Sequence, residues 1–182
     1  VQMESYNGDY EGNQARAESL IMEAIRRKAR LIVIPEFALA GYIFSDAIWE
    51  GAEYLKGPAY QWLKAICRKH DVFIATCVLE RSGSDFFDTL ILVGPGEGDF
   101  WSHRKIEPAS YEAFFFRGAG VNPCVFDTPL GRIGVAICFD SSKTHTLKAL
   151  IDGGAQIVLV LYSCPSLPGF VPRIVRNNWD SS

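Results

Sequence analysis

The sequence is poor in histidine and methionine, and it has no long apolar run and no cluster of basic residues. Three histidines and two methionines occur among 182 residues, and no CxxC or HxxxH spacing is present, so we expect no metal site. A net charge of −3 with scattered Lys and Arg argues against nucleic-acid or anionic-membrane partners. The longest apolar runs, such as residues 155–162, are far shorter than the roughly 20 residues that span a bilayer. These shortages predict a soluble protein whose partners are neither nucleic acid nor a membrane.

The five cysteines are odd in number and irregularly spaced, which does not fit a disulfide framework. Reduced thiols predict a cytoplasmic location. Because cysteine is among the residue types most often buried, Cys67, Cys77 and Cys124 are interpreted as packing residues. Cys164 follows a strand in "YSCPS" and has no evident partner beside it.

Hydrophobic periodicity predicts alternating helices and strands in one domain over residues 1–182. Apolar spacing near 3.6 indicates helices over 13–29, with Asn13 as N-cap, over 59–69 and over 144–152. Short apolar runs indicate strands, and the runs within 72–105 are expected to form an antiparallel meander. The run 155–162 is predicted to be a buried strand. With 48% hydrophobic residues, the chain has enough apolar surface for one sizeable core of the α/β class.

Three reactive side chains each stand at the end of a predicted strand. Glu36 follows "LIVIP", Lys105 closes "DFWSHRK", and Cys138 ends "RIGVAIC". Ligands often bind where strand ends gather in an open α/β sheet. A strand, sharp turn and helix would expose the Cys138 thiol, and a helix N-terminus or a cation would lower its pKa. A carboxylate among apolar neighbours has a raised pKa, which suits a base near neutral pH.

Each of these residues also has an ordinary interpretation. Cys138 alone is most simply a packing residue, Glu36 a strand-end carboxylate in solvent, and Lys105 a solvated edge lysine. Another catalytic alternative pairs Cys138 with His103 or His145. The strand-end order of Glu, Lys and Cys favours a shared site over the separate interpretations.

The segments "LIVIPEFALAGY", "HRKIEPASYEAFFFRG" and "GVAICFDSS" occur in this order, and together they resemble the nitrilase superfamily, the carbon-nitrogen hydrolases. The stretch "GDYEGNQARAESLIMEAIRRKARLIVIPE" is similar to the family's opening helix and strand, so the likeness covers nearly the whole chain. The resemblance implies an α-β-β-α sandwich and a Glu-Lys-Cys triad that needs no metal or organic cofactor. Glu36 would be the general base, Lys105 the cation and Cys138 the nucleophile.

The resemblance implies roles for two further residues and for the assembly. Glu112, seven positions after Lys105, would orient Lys105 or the substrate, with an exposed loop carboxylate as the alternative. The backbone N–H of Phe139 would join Lys105 in holding an oxyanion. Family members commonly dimerise beside the Cys strand, so a homodimer or higher homo-oligomer is expected.

The chain departs from the family pattern after Cys138 and at its C-terminus. It has "SSKTHT" where many relatives carry Arg and Phe-Pro-Glu, and Glu107 stands where His is common. Members also continue with further strands, so we expect an incomplete chain. The "CFD" run, in place of Cys-Trp-Glu, favours a linear amide or N-carbamoyl substrate over a nitrile. A non-catalytic binding or assembly module is the alternative of a different class.

Overall fold

The computed structural model describes residues 1–43, 45–120 and 123–163. These residues form three helices and seven strands. The helices are α1 (Tyr10–Arg26), α2 (Pro58–His70) and α3 (Thr144–Asp152). The strands are β1 (Leu31–Val33), β2 (Phe73–Ser82), β3 (Asp85–Val93), β4 (Phe100–Arg104), β5 (Val125–Thr128), β6 (Gly131–Ile137) and β7 (Ile157–Leu161). Short 3₁₀ turns lie at Asp46–Gly51, Ser110–Phe114 and Cys138–Ser142. None of the described helices is long and apolar enough to cross a membrane.

The strands form two sheets. The first has the order β1-β2-β3-β4, with β1 parallel to β2 and with β2, β3 and β4 antiparallel in turn, which confirms the predicted meander. The second has the order β5-β6-β7, with β6 antiparallel to β5 and parallel to β7. Because β1 and β4 run in the same direction, their carboxyl ends lie at the same edge of the first sheet.

The two sheets pack face to face between layers of helices. The inter-sheet core joins apolar side chains of both sheets, among them Phe73, Leu90, Leu92, Ile133, Val135, Ile137 and Leu161. Ala17 and Ile21 of α1 and Leu63 and Ile66 of α2 cover the outer face of the first sheet. The third helix lies on the second sheet, where Leu150 packs closely against Gly134, so that a Cβ atom at this glycine would lie 3.2 Å from Leu150 Cδ2. This layering confirms the predicted α-β-β-α sandwich.

The first helix begins three residues before the predicted start, and Asn13 is not its N-cap. Asp9 caps the helix, since its Oδ1 accepts from the Gly12 N–H at 3.1 Å. Asn13 is instead fully buried, and its Nδ2 donates to the carbonyls of Tyr6 (2.7 Å) and Leu39 (2.9 Å). Asn13 therefore holds the N-terminal segment against the loop that follows Glu36.

We expect Asn13→Ala to lower the free energy of unfolding by about 2–3 kcal/mol, because it leaves buried backbone carbonyls without donors. The matched variant is Asp9→Ala, which removes an exposed cap and should cost only about 1 kcal/mol. Urea denaturation of both variants measures the difference. Equal losses would contradict the buried role of Asn13.

The last strand is less buried than predicted. Leu159 and Leu161 of β7 point into the inter-sheet core, but Val158 and Val160 on the other side are 39% and 38% exposed. The prediction of a buried strand is wrong for this face within the described ranges. The physical reason is that β7 is an edge strand of its sheet, and no described helix covers its outer side.

Candidate active site

The sandwich brings Glu36, Lys105 and Cys138 together at strand ends. Glu36 lies three residues after β1, and Lys105 follows β4 directly. The Lys105 N–H donates to the Asp88 carbonyl at 2.8 Å, which extends the β3–β4 ladder by one residue. Cys138 follows β6 and opens the turn Cys138–Ser142. The side chains of Glu36, Lys105 and Cys138 therefore converge in one site at the ends of these strands.

A buried ammonium group forms the centre of the site. Lys105 Nζ lies 2.7 Å from Glu36 Oε1, 2.7 Å from Glu112 Oε2 and 3.6 Å from Asp88 Oδ2. Glu36 and Lys105 are each 1% exposed, and Glu112 is 2% exposed. The solvent-exposed alternatives for these three side chains are therefore wrong.

Burial and neighbouring charges shift the pKa values of Glu36 and Lys105, which form the ion pair. Burial, reinforced by the charge of Asp88, raises the pKa of Glu36 well above its usual range, against the opposing effect of Lys105. Burial lowers the pKa of Lys105, but the charges of Asp88 and Glu36 outweigh it and the net pKa is raised. Lys105 is thus held as a cation, beside a carboxyl whose pKa is raised.

The Cys138 thiol interacts with the charged centre but does not have the low pKa predicted from its place before a helix. Burial, followed by the charge of Glu36, raises the pKa of Cys138, and Lys105 opposes this only in part. The residues after Cys138 form a 3₁₀ turn, and α3 begins only at Thr144. Burial and Glu36 therefore affect the pKa of this thiol more than its place before a helix does.

Glu112 lies in the turn Ser110–Phe114 and accepts three hydrogen bonds. Lys105 Nζ and the Ala109 N–H donate to Oε2 at 2.7 Å each, and the Tyr42 hydroxyl donates to Oε1. These donors satisfy the carboxylate and fix its position. The structure thus places the Glu112 carboxylate against the Lys105 ammonium group.

Asp140 is a buried carboxylate to which the sequence patterns assigned no role. It is 1% exposed and accepts from the Ile106 and Glu107 N–H groups at 3.0 Å each. Through these bonds the loop after Cys138 is joined to the segment after Lys105. The signal in the sequence is the carboxylate two positions after the cysteine.

Asp88 is a second carboxylate that the patterns missed. It lies inside β3 and is 1% exposed. Within the described ranges neither of its carboxyl oxygens has a hydrogen-bond donor. The signal in the sequence is the acid within the otherwise apolar run "FFDTLILV".

The serines of the divergent "SSKTHT" run form hydrogen bonds with the turn that carries Cys138. Ser141 Oγ donates to the Cys138 carbonyl at 2.8 Å, and Ser142 Oγ donates to the Phe139 carbonyl at 2.7 Å. The Lys143 ammonium lies 4.2 Å from the centre of the Phe139 ring. These contacts hold the turn in which the Phe139 N–H lies.

The histidines have other surroundings. His103 Nδ1 contacts Cys124 Sγ at 3.2 Å, and burial lowers the pKa of His103 to about 4. His145 is exposed on α3. The groups that act on the Cys138 thiol are Glu36, Lys105 and Glu112, and the pairing of Cys138 with a histidine stays the alternative prediction. Cys67 and Cys77 are buried as predicted, and Cys164 lies outside the described residues.

An aromatic hollow adjoins the charged centre. Its walls are Phe37, Tyr42, Ile43, Ile48, Tyr111, Glu112, Phe115 and Phe116. The Phe37 and Tyr42 rings meet edge to face at 4.9 Å. Among the described residues, no group of three or more His, Cys, Asp or Glu side chains is arranged to hold a metal ion. The reactive groups thus stand beside an apolar wall.

Three residues of the site have left-handed backbone conformations. Phe37, directly after Glu36, has φ 52°, Ser110 near Glu112 has φ 45°, and Cys138 itself has φ 46°. For a residue with a Cβ atom this conformation costs on the order of 1 kcal/mol. Such strained positions cluster at functional sites.

The fold and the site together define an α-β-β-α sandwich with a Glu, a Lys and a Cys at its converging strand ends. The chain belongs to the carbon-nitrogen hydrolase family, whose model matches residues 1–173. It is 31% identical to a nitrilase of Pyrococcus abyssi (strain GE5 / Orsay) over 87% of this chain and 61% of that protein. It is 27% identical to nitrilase 1 of Arabidopsis thaliana over 100% of this chain and 55% of that protein.

Solved structures share the fold. A carbon-nitrogen hydrolase from Helicobacter pylori G27 superposes with a TM-score of 0.83 at 17% identity, over 98% of this chain and 64% of that one. An amidase from Nesterenkonia sp. AN1, with acrylamide added to its active-site cysteine, gives 0.73 at 20% identity, over 87% of this chain and 63% of that one. The predicted family and fold are confirmed. The chain spans little more than half the length of the nitrilases it matches.

Proposed function

We propose that this chain carries the catalytic site of a hydrolase of non-peptide carbon-nitrogen bonds, acting through a Cys138 thioester. The observation that supports this most is the buried contact of Lys105 Nζ with Glu36 Oε1 at 2.7 Å, beside the Cys138 thiol. A protonated thiol next to a carboxyl of raised pKa is a matched nucleophile and base. The substrate is a linear amide or an N-carbamoyl compound.

In the first half-reaction, Glu36 takes the thiol proton as Cys138 Sγ bonds to the amide carbon. The negative charge that forms on the amide oxygen is held by the Lys105 ammonium and the Phe139 N–H. That N–H lies in the first turn of a 3₁₀ helix, where amide protons lack partners within the helix. Glu36 then returns its proton to the nitrogen as the carbon-nitrogen bond breaks, and ammonia or an amine leaves.

In the second half-reaction, a water molecule replaces the departed amine. Glu36 removes one of its protons, and the resulting hydroxide attacks the thioester carbon. The carbon-sulfur bond breaks, the carboxylic acid leaves, and Glu36 returns the proton to the Cys138 sulfur. The sum is the amide plus water giving the acid plus ammonia or amine, with the chain's own side chains as the only catalysts.

A nitrile substrate is the second candidate, and the names of the relatives favour it. The proteins matched at 26–31% identity are named nitrilases or bifunctional nitrilase/nitrile hydratases. Addition of Cys138 to a nitrile carbon gives a thioimidate, and water converts it to the same thioester with loss of ammonia. A paired panel of aliphatic and aromatic amides, carbamoyl amines and nitriles, assayed for ammonia, distinguishes the two substrate classes.

A binding or assembly module that does not catalyse turnover is the candidate of a different class. It predicts a folded protein whose Cys138 reacts with a thiol alkylator but which releases no ammonia from any substrate of the panel. Turnover that alkylation abolishes would rule it out. No turnover by a folded full-length protein would overturn the proposed enzyme.

Replacing the base should have a far larger effect than replacing either histidine. We expect Glu36→Gln to lower kcat/KM for amide hydrolysis by at least about a hundredfold, because the amide cannot accept the thiol proton. His103→Ala and His145→Ala should keep the rate within about threefold, since His103 contacts Cys124 and His145 is exposed on α3. Steady-state ammonia release from the three purified variants gives the comparison. A large loss in a histidine variant, with Glu36→Gln still active, would reverse the assignment of the base.

The homodimer and the cytoplasmic location stay predictions from the sequence. Light scattering of the purified full-length protein would measure its mass in solution. A monomer at micromolar concentration would contradict the predicted assembly.

A further inference from the structure

The unexplained feature of the site is the buried Asp88 carboxyl. The titratable groups that interact with it come from several elements, and they are Glu36 after β1, Cys77 on β2, Lys105 after β4, Glu112 in its 3₁₀ turn and Asp140 after β6. Lys105 is the nearest cation, but at 3.6 Å from Oδ2 it is too far for a hydrogen bond. An ionised Asp88 would therefore be a buried carboxylate without a donor among the described residues, which is a costly arrangement.

The other carboxylates of the centre have the donors that Asp88 lacks. Glu36 receives Lys105 Nζ at 2.7 Å on Oε1 and the Ser163 N–H at 2.8 Å on Oε2. Glu112 receives three donors, and Asp140 receives two backbone N–H groups. Glu36 Oε1 and Asp88 Oδ2 both face Lys105 Nζ, at 2.7 and 3.6 Å, so the two carboxyls are neighbours. Two carboxyls can form a hydrogen bond only if one of them holds a proton.

The charge count leads to the same conclusion. With Glu36, Asp88 and Glu112 all ionised, the single cation Lys105 would leave this buried centre with two uncompensated negative charges. One proton in the pair formed by Glu36 and Asp88 removes one of these charges and supplies the missing hydrogen bond. Since Glu36 already has two donors, the proton is best placed on Asp88.

We propose that Asp88 is protonated in the resting protein and donates its O–H to the Glu36 carboxylate, acting as a positioning residue for the base. This rests on the proposed role of Glu36. The O–H bond holds Glu36 ionised and oriented towards Cys138. Burial raises the pKa of both carboxyls, and the donors that Glu36 has and Asp88 lacks place the proton on Asp88.

Two replacements of Asp88 distinguish a role as a hydrogen-bond donor from a role as a negative charge. Asn is neutral and offers an N–H donor of nearly the same shape, whereas Leu has similar volume and no donor. We expect Asp88→Asn to slow alkylation of Cys138 by iodoacetamide at neutral pH by only about threefold. Asp88→Leu should slow it by about tenfold to a hundredfold, because a hydrogen bond to a charged acceptor is lost. If Asp88 acts as an ionised partner of Lys105, both variants should be slowed alike, and that result would overturn the proposal.

Infrared spectroscopy tests the proton directly. A difference spectrum between wild type and Asp88→Asn at neutral pH should show the C=O band of a protonated carboxyl in the wild type. The matched control is Glu80→Gln, because Glu80 is a buried acid on β2 that bonds Thr89 (2.6 Å) and Arg104 (2.9 Å) away from the site. This control should keep the band and the alkylation rate. Absence of the band from the wild type, or its survival in Asp88→Asn, would overturn the proposal.

Neither measurement depends on turnover. If Cys138 alkylates and the carboxyl band is present but no amide or nitrile is hydrolysed, the proposed function fails and the role of Asp88 stands. Circular dichroism checks the fold of each variant. If Asp88→Leu does not fold, the Asn variant and the difference spectrum still decide.

Discussion

Cys138→Ala should abolish hydrolysis, with a fall in kcat of at least about a thousandfold, because no other group can form the covalent intermediate. Intact-mass analysis after iodoacetamide treatment should find the adduct that forms on Cys138 in wild type and not in the variant. Cys138→Ser should be nearly as impaired, since a buried hydroxyl is a much weaker nucleophile than a thiolate. Ammonia release from the substrate panel measures the loss.

Cys124→Ala is the matched control for the nucleophile. Cys124 is a partly buried thiol that contacts His103 Nδ1 at 3.2 Å and lies away from the charged centre. Its replacement should leave the rate within about threefold, because packing contacts alone are lost. Undiminished turnover in Cys138→Ala would overturn the thioester mechanism.

Lys105→Met should damage both stability and activity. Loss of the cation leaves Glu36 and Glu112 buried beside Asp88 without compensation, and breaking a buried pair in this way costs about 3–5 kcal/mol of unfolding free energy. Removing one stabiliser of an oxyanion costs a further hundredfold to thousandfold, roughly, in kcat. Urea denaturation and ammonia release measure the two effects separately.

The stability loss in Lys105→Met should grow as the pH rises. Burial raises the pKa of Glu36 and of Asp88, and without Lys105 these carboxyls bind protons still more tightly in the folded state. The unfolded chain releases those protons near the ordinary carboxyl pKa, so raising the pH from there favours unfolding. Denaturation at several pH values tests this sign, and a loss that shrinks with pH would contradict it.

Lys64→Met is the matched control for a buried lysine. Lys64 is 5% exposed, and its Nζ donates to the carbonyls of Gly94 at 2.7 Å and of Gly96. Its replacement removes a buried cation but leaves no cluster of carboxylates without a partner. The free energy of unfolding should therefore fall by only about 1–2 kcal/mol, and turnover should survive. If the two methionine variants lose activity equally, Lys105 has no special role.

The strand ends were the predictable part of the site. Glu36 and Cys138 each follow an apolar run and Lys105 closes the predicted strand "DFWSHRK", so their places at the rim of the sheets follow from local patterns. Their order along the chain also indicated the family. Asp88 was not predictable in this way, since a single acid inside a strand is usually a solvent-facing residue. Only the β3–β4 register shows that it faces Lys105.

Other differences come from tertiary contacts that local patterns do not contain. Asn is common both as a helix N-cap and as a buried side chain that hydrogen-bonds two loops. Only the contact with Leu39 shows that Asn13 links two segments and does not cap the helix. The direction of the Cys138 pKa depends on burial and on Glu36, a residue about one hundred positions away. The outer face of β7 was predicted to be buried from its apolar residues alone, although burial depends on what packs against it.

At Cys138 the left-handed backbone conformation and the proposed chemistry favour different residues. The conformation favours glycine, whereas the proposed chemistry needs sulfur at the same position. A mutation to glycine would relieve the fold and remove the nucleophile in one step. Selection for turnover would oppose such a change, together with the packing of Cys138 against the inter-sheet core. In a gene copy released from that selection, packing alone would oppose genetic drift at this codon.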